Sequence, residues 1–125
     1  MSKTPLWNPS DRLVKLSNIH SFIDLINKKY SLEINSYNDL YYWSIKNIPD
    51  FWGMVWEHQN IVHSRPYTCV VDDTNRMPGA RWFADARLNF AENLLRHRDN
   101  SPAITEYNED GLLITISYLE LYLIV

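Results

Sequence analysis

Apolar residues recur at helical spacing through the first half of the chain and at strand spacing near its end. From Ser17 or Asn18 onward, Ile19, Phe22, Ile23, Ile26 and Tyr30 return every three or four positions. That spacing puts them on one face of a helix. Asp24 and the Lys28-Lys29 pair lie off that face. Ahead of it, residues 1–16 read as an irregular arm, because Pro5 and Pro9 interrupt a helix and Trp7 is its only large anchor. A second helix is predicted from Ser36, whose hydroxyl can accept from the Asp39 amide while the carboxylate turns back. Leu40 and Trp43 then share a face. A third helix is predicted after Ile48, with Pro49 in its first turn. On it, Phe51, Val55 and His58 form one stripe, and Trp52, Trp56 and Gln59 form the next. Short helices this aromatic usually pack on something larger than themselves.

The second half changes character. Tyr67–Asp73 alternates weakly and predicts a short strand, with loop over residues 74–80. Asn89 and Glu92 repeat the capping signature, and Leu88, Ala91, Leu94 and Leu95 suit a helix over about residues 89–97. Arg96, His97 and Arg98 would fall in its last turn, where positive charge favours the carbonyl end. Two β-prone runs, residues 103–107 and 112–117, flank Asn108-Glu109-Asp110-Gly111, a hairpin turn with glycine where positive φ is tolerated. Ser117 and Glu120 form another capping pair and open a helix of about two turns at Tyr118. The expected fold class is α+β: short N-terminal helices, then a helix and a hairpin. The apolar run Leu121–Val125 is odd for the edge of a finished domain.

Composition narrows the class. A chain of 125 residues suits one small domain or part of a larger one. Hydrophobic residues at 46% and charged residues at 22% give a globular balance. Five Trp, eight Tyr and four Phe bring large apolar surfaces that want a core or a partner. The net charge of -3 supplies no general pull toward nucleic acid or an anionic membrane. A single cysteine, Cys69, excludes an intramolecular disulfide and points to a reducing, cytoplasmic setting. The polar, proline-broken N-terminus is no signal peptide, and no apolar run reaches membrane-spanning length.

Candidate chemistry is sparse. His20, His58, His63 and His97 show no metal-ligand spacing, and there is no Cys-x-x-Cys. Cys69, between Thr68 and Val70, reads as a buried inert thiol. Asp72 and Asp73 read as solvated loop carboxylates. Phosphate loops need glycines so that backbone can approach the anion. Gly53, Gly79 and Gly111 form no Gly-x-Gly, and no Gly-Lys-Ser/Thr exists. Arg81, Arg87, Arg96 and Arg98 beside Trp82, Phe83 and Phe90 invite a base-stacking reading. Asp85, Glu92 and the acidic whole argue against it. The expectation is no catalytic, no cofactor-binding and no metal residue in this chain.

An ordered set of motifs adds to this picture. "LYYWSIKNIPDFWGMVWEH", then "VVDD", then "RWFADARLNFAENLLRHRDNSPAI" resembles the N-terminal region of the acetoacetyl-CoA synthetases, adenylate-forming acyl-CoA ligases. The closing "ITISYLEL" is similar to their next strand and helix start. The likeness runs in order from about Trp7 to Leu121. Acetyl-CoA and propionyl-CoA synthetases share a looser version. The family usually carries a Pro-Gly-like pair after the Trp-Phe; here Ala84-Asp85 stands there, so a backbone that wants glycine is expected to be strained. The final "LYLIV" lacks the polar face expected after "YLEL".

The resemblance implies an enzyme that uses ATP, Mg and CoA and passes through an acyl-adenylate. None of the family's nucleotide or catalytic motifs matches a position here, so no catalytic residue carries over. The implied organisation is an irregular arm at 1–16, a helical cap at 17–100, and at 101–125 the hairpin and helix that begin the adenylation domain. On this reading the chain is an N-terminal fragment, structural and inactive alone, whose exposed aromatics face the adenylation domain as partner. The alternative is a free-standing interaction module that docks through Trp43, Trp52 and Trp56 on a full-length synthetase or another partner.

Overall fold

The computed structural model describes residues 6–111 and 113–125. They divide into two compact units, residues 6–60 with 70–80, and residues 61–69 with 81–111 and 113–125. Pro5 lies outside the described residues.

The first unit is helical. A short helix, α1 (Asp11–Lys15), lies inside the stretch expected to be irregular. Ser10 makes it possible by accepting from the Leu13 amide. Pro9 stands before that cap, where its missing N–H breaks no helical bond. Trp7, expected to anchor the arm, is 71% exposed. Next comes α2 (Asn18–Tyr30), capped by Ser17 accepting from the His20 amide. The predicted face turns inward at Phe22, Ile23 and Ile26, while Ile19 stays exposed.

The end of α2 is held by one asparagine. Ser31 adopts a left-handed conformation at φ 54°, and the Leu32 amide donates to the Asn27 carbonyl. The Asn27 side chain then pairs with both polar backbone groups of Ile34: its Nδ2 donates to the carbonyl at 2.9 Å, and its Oδ1 accepts from the amide at 2.8 Å. This pair of hydrogen bonds folds the chain back and delivers Ile34 to the core.

Two more helices close that core. They are α3 (Tyr37–Lys46), capped by Ser36, and α4 (Ile48–His58), with Pro49 at its start. Leu40 and Met54 join Phe22, Ile23, Ile26 and Ile34 in one cluster, flanked by Phe51, Val55 and Trp43. The Phe22 ring meets Phe51 edge-on at 5.9 Å and His58 at 5.1 Å. Trp43 tilts against Tyr30 at 5.4 Å. The stripe predicted on α4 is therefore the inward one, and Met54 completes it.

The chain continues through β1 (Cys69–Val71) and β2 (Trp82–Ala84), two strands of three residues each. The sequence pattern anticipates β1; three residues of β2 are too few to show a period. In the second unit, α5 (Phe90–Leu94) is capped by Asn89 accepting from the Glu92 amide. It stops at Leu95, short of the expected 97. Arg96–Arg98 thus lie beyond the helix instead of in its last turn. A hairpin follows, β3 (Pro102–Tyr107) and β4 (Leu113–Ser117), then α6 (Tyr118–Ile124). His97 meets the Tyr118 ring at 6.0 Å, and the Arg98 guanidinium lies 3.9 Å over Tyr122. Contacts to α6 are what these two residues gain by leaving the helix.

The hairpin is antiparallel, with Ile104 opposite Ile116 and Thr105 opposite Thr115. Gly111 takes φ 76° in its turn. The Tyr118 amide donates to Ser101 O and the Leu119 amide to Asp99 O, so α6 starts from a bonded base. Ser117 and Glu120 complete the predicted reciprocal cap.

Burial separates the two units. Among the described residues, the seven buried hydrophobics, Phe22 to Val71, all belong to the first. No described residue of the second is buried. Ile26→Ala is therefore expected to cost about 2–5 kcal/mol and Leu94→Ala under about 0.5 kcal/mol, compared by urea denaturation of the free chain. Equal losses would contradict this distribution of the core.

Candidate functional site, an uncovered apolar surface

The residues that carry chemistry are scattered. His20 lies 4.0 Å from Asp24, His63 Nδ1 lies 2.8 Å from the Ile61 carbonyl, and His58 and His97 sit against aromatic rings. Among the described residues no three His, Cys, Asp or Glu side chains gather to hold a metal. Cys69 is exposed, not buried as expected, because the strand it opens is covered only at Val71. Asp72 pairs with Arg76 at 3.1 Å, whereas Asp73 accepts from the Asn75 amide in the following turn. The two adjacent carboxylates thus serve separate local bonds. Arg87 works through its backbone, exchanging bonds with Arg65 at 3.0 and 3.2 Å.

A turn inside the second unit shows the strain that Ala84-Asp85 suggested. Phe83 and Asp85 take φ values of 47° and 67°. Such values are uncommon for residues with side chains, although aspartate tolerates them better than most. Asp85 is held there: its Oδ2 accepts from the Thr68 hydroxyl at 2.8 Å, and Arg65 lies 3.9 Å from its other oxygen. The Phe83 ring meets Tyr67 edge-on at 5.4 Å.

A second asparagine organises this unit. Asn93, on α5, accepts from the Val62 amide at 2.8 Å and donates to the Val62 carbonyl at 2.8 Å. It ties α5 to a segment 31 residues earlier. Neither asparagine clamp was legible in the sequence, since a polar residue inside a helix carries no mark of its distant partner.

What remains is apolar surface. On α5, Phe90 and Leu94, one turn apart, are 74% and 58% exposed. On the hairpin, Ile104 and Ile114 are about half exposed and share a face by the register. On α6, Leu123 and Ile124 are more than two-thirds exposed. A surface depression of about 370 Å³ in the same unit is mixed in character, lined by Asn89, Glu92 and Arg98 as well as Ala91, Leu95, Tyr122 and Val125. Large apolar side chains left outward on three elements of one small unit suit a surface that a partner covers. The first unit also exposes apolar side chains, at Trp7 and Leu16 near its start, at Tyr37, Tyr41, Tyr42 and Ile45 along α3, and at Met77, but around a core that the second lacks.

Comparison with known proteins fits this surface into a family. The family described as the acetyl-coenzyme A synthetase N-terminus matches residues 37–94. The acetoacetyl-CoA synthetase of Danio rerio is 36% identical over 124 residues, which is 95% of this chain and 18% of that protein. The structure of acetoacetyl-CoA synthetase from Streptomyces lividans matches with a TM-score of 0.84 at 31% identity, covering 95% of this chain and 19% of that one. In sequence and fold, the chain matches the N-terminal region of the acetoacetyl-CoA synthetases. Malonamoyl-CoA synthetase of Penicillium aethiopicum is 38% identical over 123 residues, or 93% of this chain and 17% of that protein. The chain thus spans under a fifth of the length of these acyl-CoA synthetase relatives. No described helix is long and apolar enough to cross a membrane.

Two caps of this acetoacetyl-CoA synthetase-like segment rest on carboxylates that their hydrogen bonds keep ionised. The Ser36 hydroxyl and the Asn35 amide hold the Asp39 carboxyl below its ordinary range. The Ser117 amide and hydroxyl do the same for Glu120. A depressed folded-state pKa stabilises above the unfolded value, and the contribution is lost as pH falls through the folded value. Lowering pH from about 5 to about 3 should therefore loosen the first turns of α3 and α6, seen as faster exchange or shifted NMR signals for the Leu40 and Leu121 amides. Signals that stay constant over that range would contradict the assignment.

Proposed function

We propose that the chain supplies the N-terminal structural segment of an ATP-dependent ligase that joins acetoacetate to CoA through an acyl-adenylate. The observation that carries this reading is the unbalanced coverage: 93–99% of this chain aligns with 17–19% of the relatives. The catalytic groups belong to the part of such an enzyme that this chain does not contain. Its own residues do not suit nucleotide or Mg. The three glycines make no phosphate cradle, Asp39 and Glu120 are spent on caps, Asp73 on a turn, and Asp72 on a surface pair with Arg76. The segment works by packing, in a cytosolic setting consistent with one exposed cysteine.

Acyl choice belongs elsewhere in the enzyme. The Penicillium relative, named for malonamoyl-CoA, carries a matching segment as similar to this one as those named for acetoacetyl-CoA. A segment shared at equal likeness by proteins with different named products is poorly suited to set that choice.

The purified 125-residue chain should show no ATP–pyrophosphate exchange with acetoacetate above a no-protein control. Exchange that depends on the chain and on acetoacetate would sink the structural reading. The reading of a free-standing interaction module is separated by binding: capture of an intact synthetase by the chain would favour it over a covalent segment.

A further inference from the structure

We infer that the two units differ in when they fold: the first is self-supporting, and the second completes its packing only against the adenylation portion of the synthetase. This rests on the proposed placement of the chain as an N-terminal segment. The first unit has a closed cluster from Phe22 to Met54, with Ile26 at 0% exposure. The second has caps, an asparagine clamp, a hairpin and surface ring and ion contacts, but no buried side chain among its described residues. Its helices α5 and α6 are five and seven residues long. Helices of that length do not persist in water without packing, and a lone two-stranded hairpin is marginal. Yet Phe90, Leu94, Ile104, Ile114 and Leu123 all present apolar surface to solvent.

The occupant follows from the relatives. In each of them the matched segment is under a fifth of the protein, so more than four-fifths of the polypeptide is joined to it. A covalently joined surface acts at high effective concentration and outcompetes a second copy of the segment. The surface is apolar, so the occupant presents an apolar face of its own.

Hydrogen exchange of the free chain and of a chimera tests this. In the chimera the chain replaces the matching segment of the Streptomyces lividans synthetase. Amides bonded within β3 and β4 should exchange at least about 100-fold more slowly in the chimera than in the free chain, while those of Phe22 to Ile26 change less than about threefold. Adding Phe90→Asp with Leu94→Asp should leave Phe22–Ile26 protection in the free chain intact and lower the soluble yield of the chimera. Hairpin amides as slow as Ile26 in the free monomer would overturn the inference. So would their slowing through concentration-dependent self-association, or a chimera that is insoluble or shows no added protection. An inactive chain with a protected hairpin defeats this inference alone. A chain active in pyrophosphate exchange defeats the placement beneath it.

Discussion

The closed cluster around Ile26 is the interaction on which the ordered part of this protein depends. It draws residues from α2, α3, α4 and the Ile34 turn into one dry contact. Burial of several large aliphatic and aromatic side chains stabilises by about 1.5–3 kcal/mol each, before the entropy of ordering is subtracted. The second unit has nothing equivalent. Its order is carried by hydrogen bonds that exchange with water at modest net gain, about 0.5–1.5 kcal/mol each. The same chain thus combines a unit with a core and a unit with a framework.

Hydrogen bonds do organise both units, and they do so with the same devices. Ser10, Ser17, Ser36, Asn89 and Ser117 each cap a helix by accepting an amide. Asn27 and Asn93 each satisfy both backbone groups of a distant residue. Caps decide where helices start; the asparagines decide where the intervening chain goes. In the first unit that routing ends in burial of Ile34. In the second it ends at the exposed Val62, which explains why a similar clamp yields less closure there.

On the placement proposed above, the open surface has a purpose. A segment that will be covered by the rest of a large enzyme can leave apolar side chains outward without forming a core of its own. The strained turn at Phe83–Asp85 fits the same economy. It is held by Thr68, Arg65 and Tyr67 within the unit, without glycine. Of the basic and aromatic residues from Gly79 to Arg98, which invite a binding-site reading, His97 and Arg98 meet α6, Arg87 pairs through its backbone and Phe83 meets Tyr67.

The sequence by itself determined what is local. The inward face of α2, the serine and asparagine caps, the hairpin turn at Gly111 and the ordered family motifs are all set by residues within a few positions of one another. Their physics acts over one helical turn or one strand pair. The tertiary structure alone decided the rest. It ended α5 early, where His97 and Arg98 meet α6; it formed β2 from three residues without a period; it left Cys69 exposed; and it turned α1 out of a proline-flanked arm. Each of these outcomes depends on a partner distant in sequence or on solvent access. The uneven burial of the two units is the largest of them, because a stripe of apolar residues shows that a face exists and only packing shows whether anything covers it.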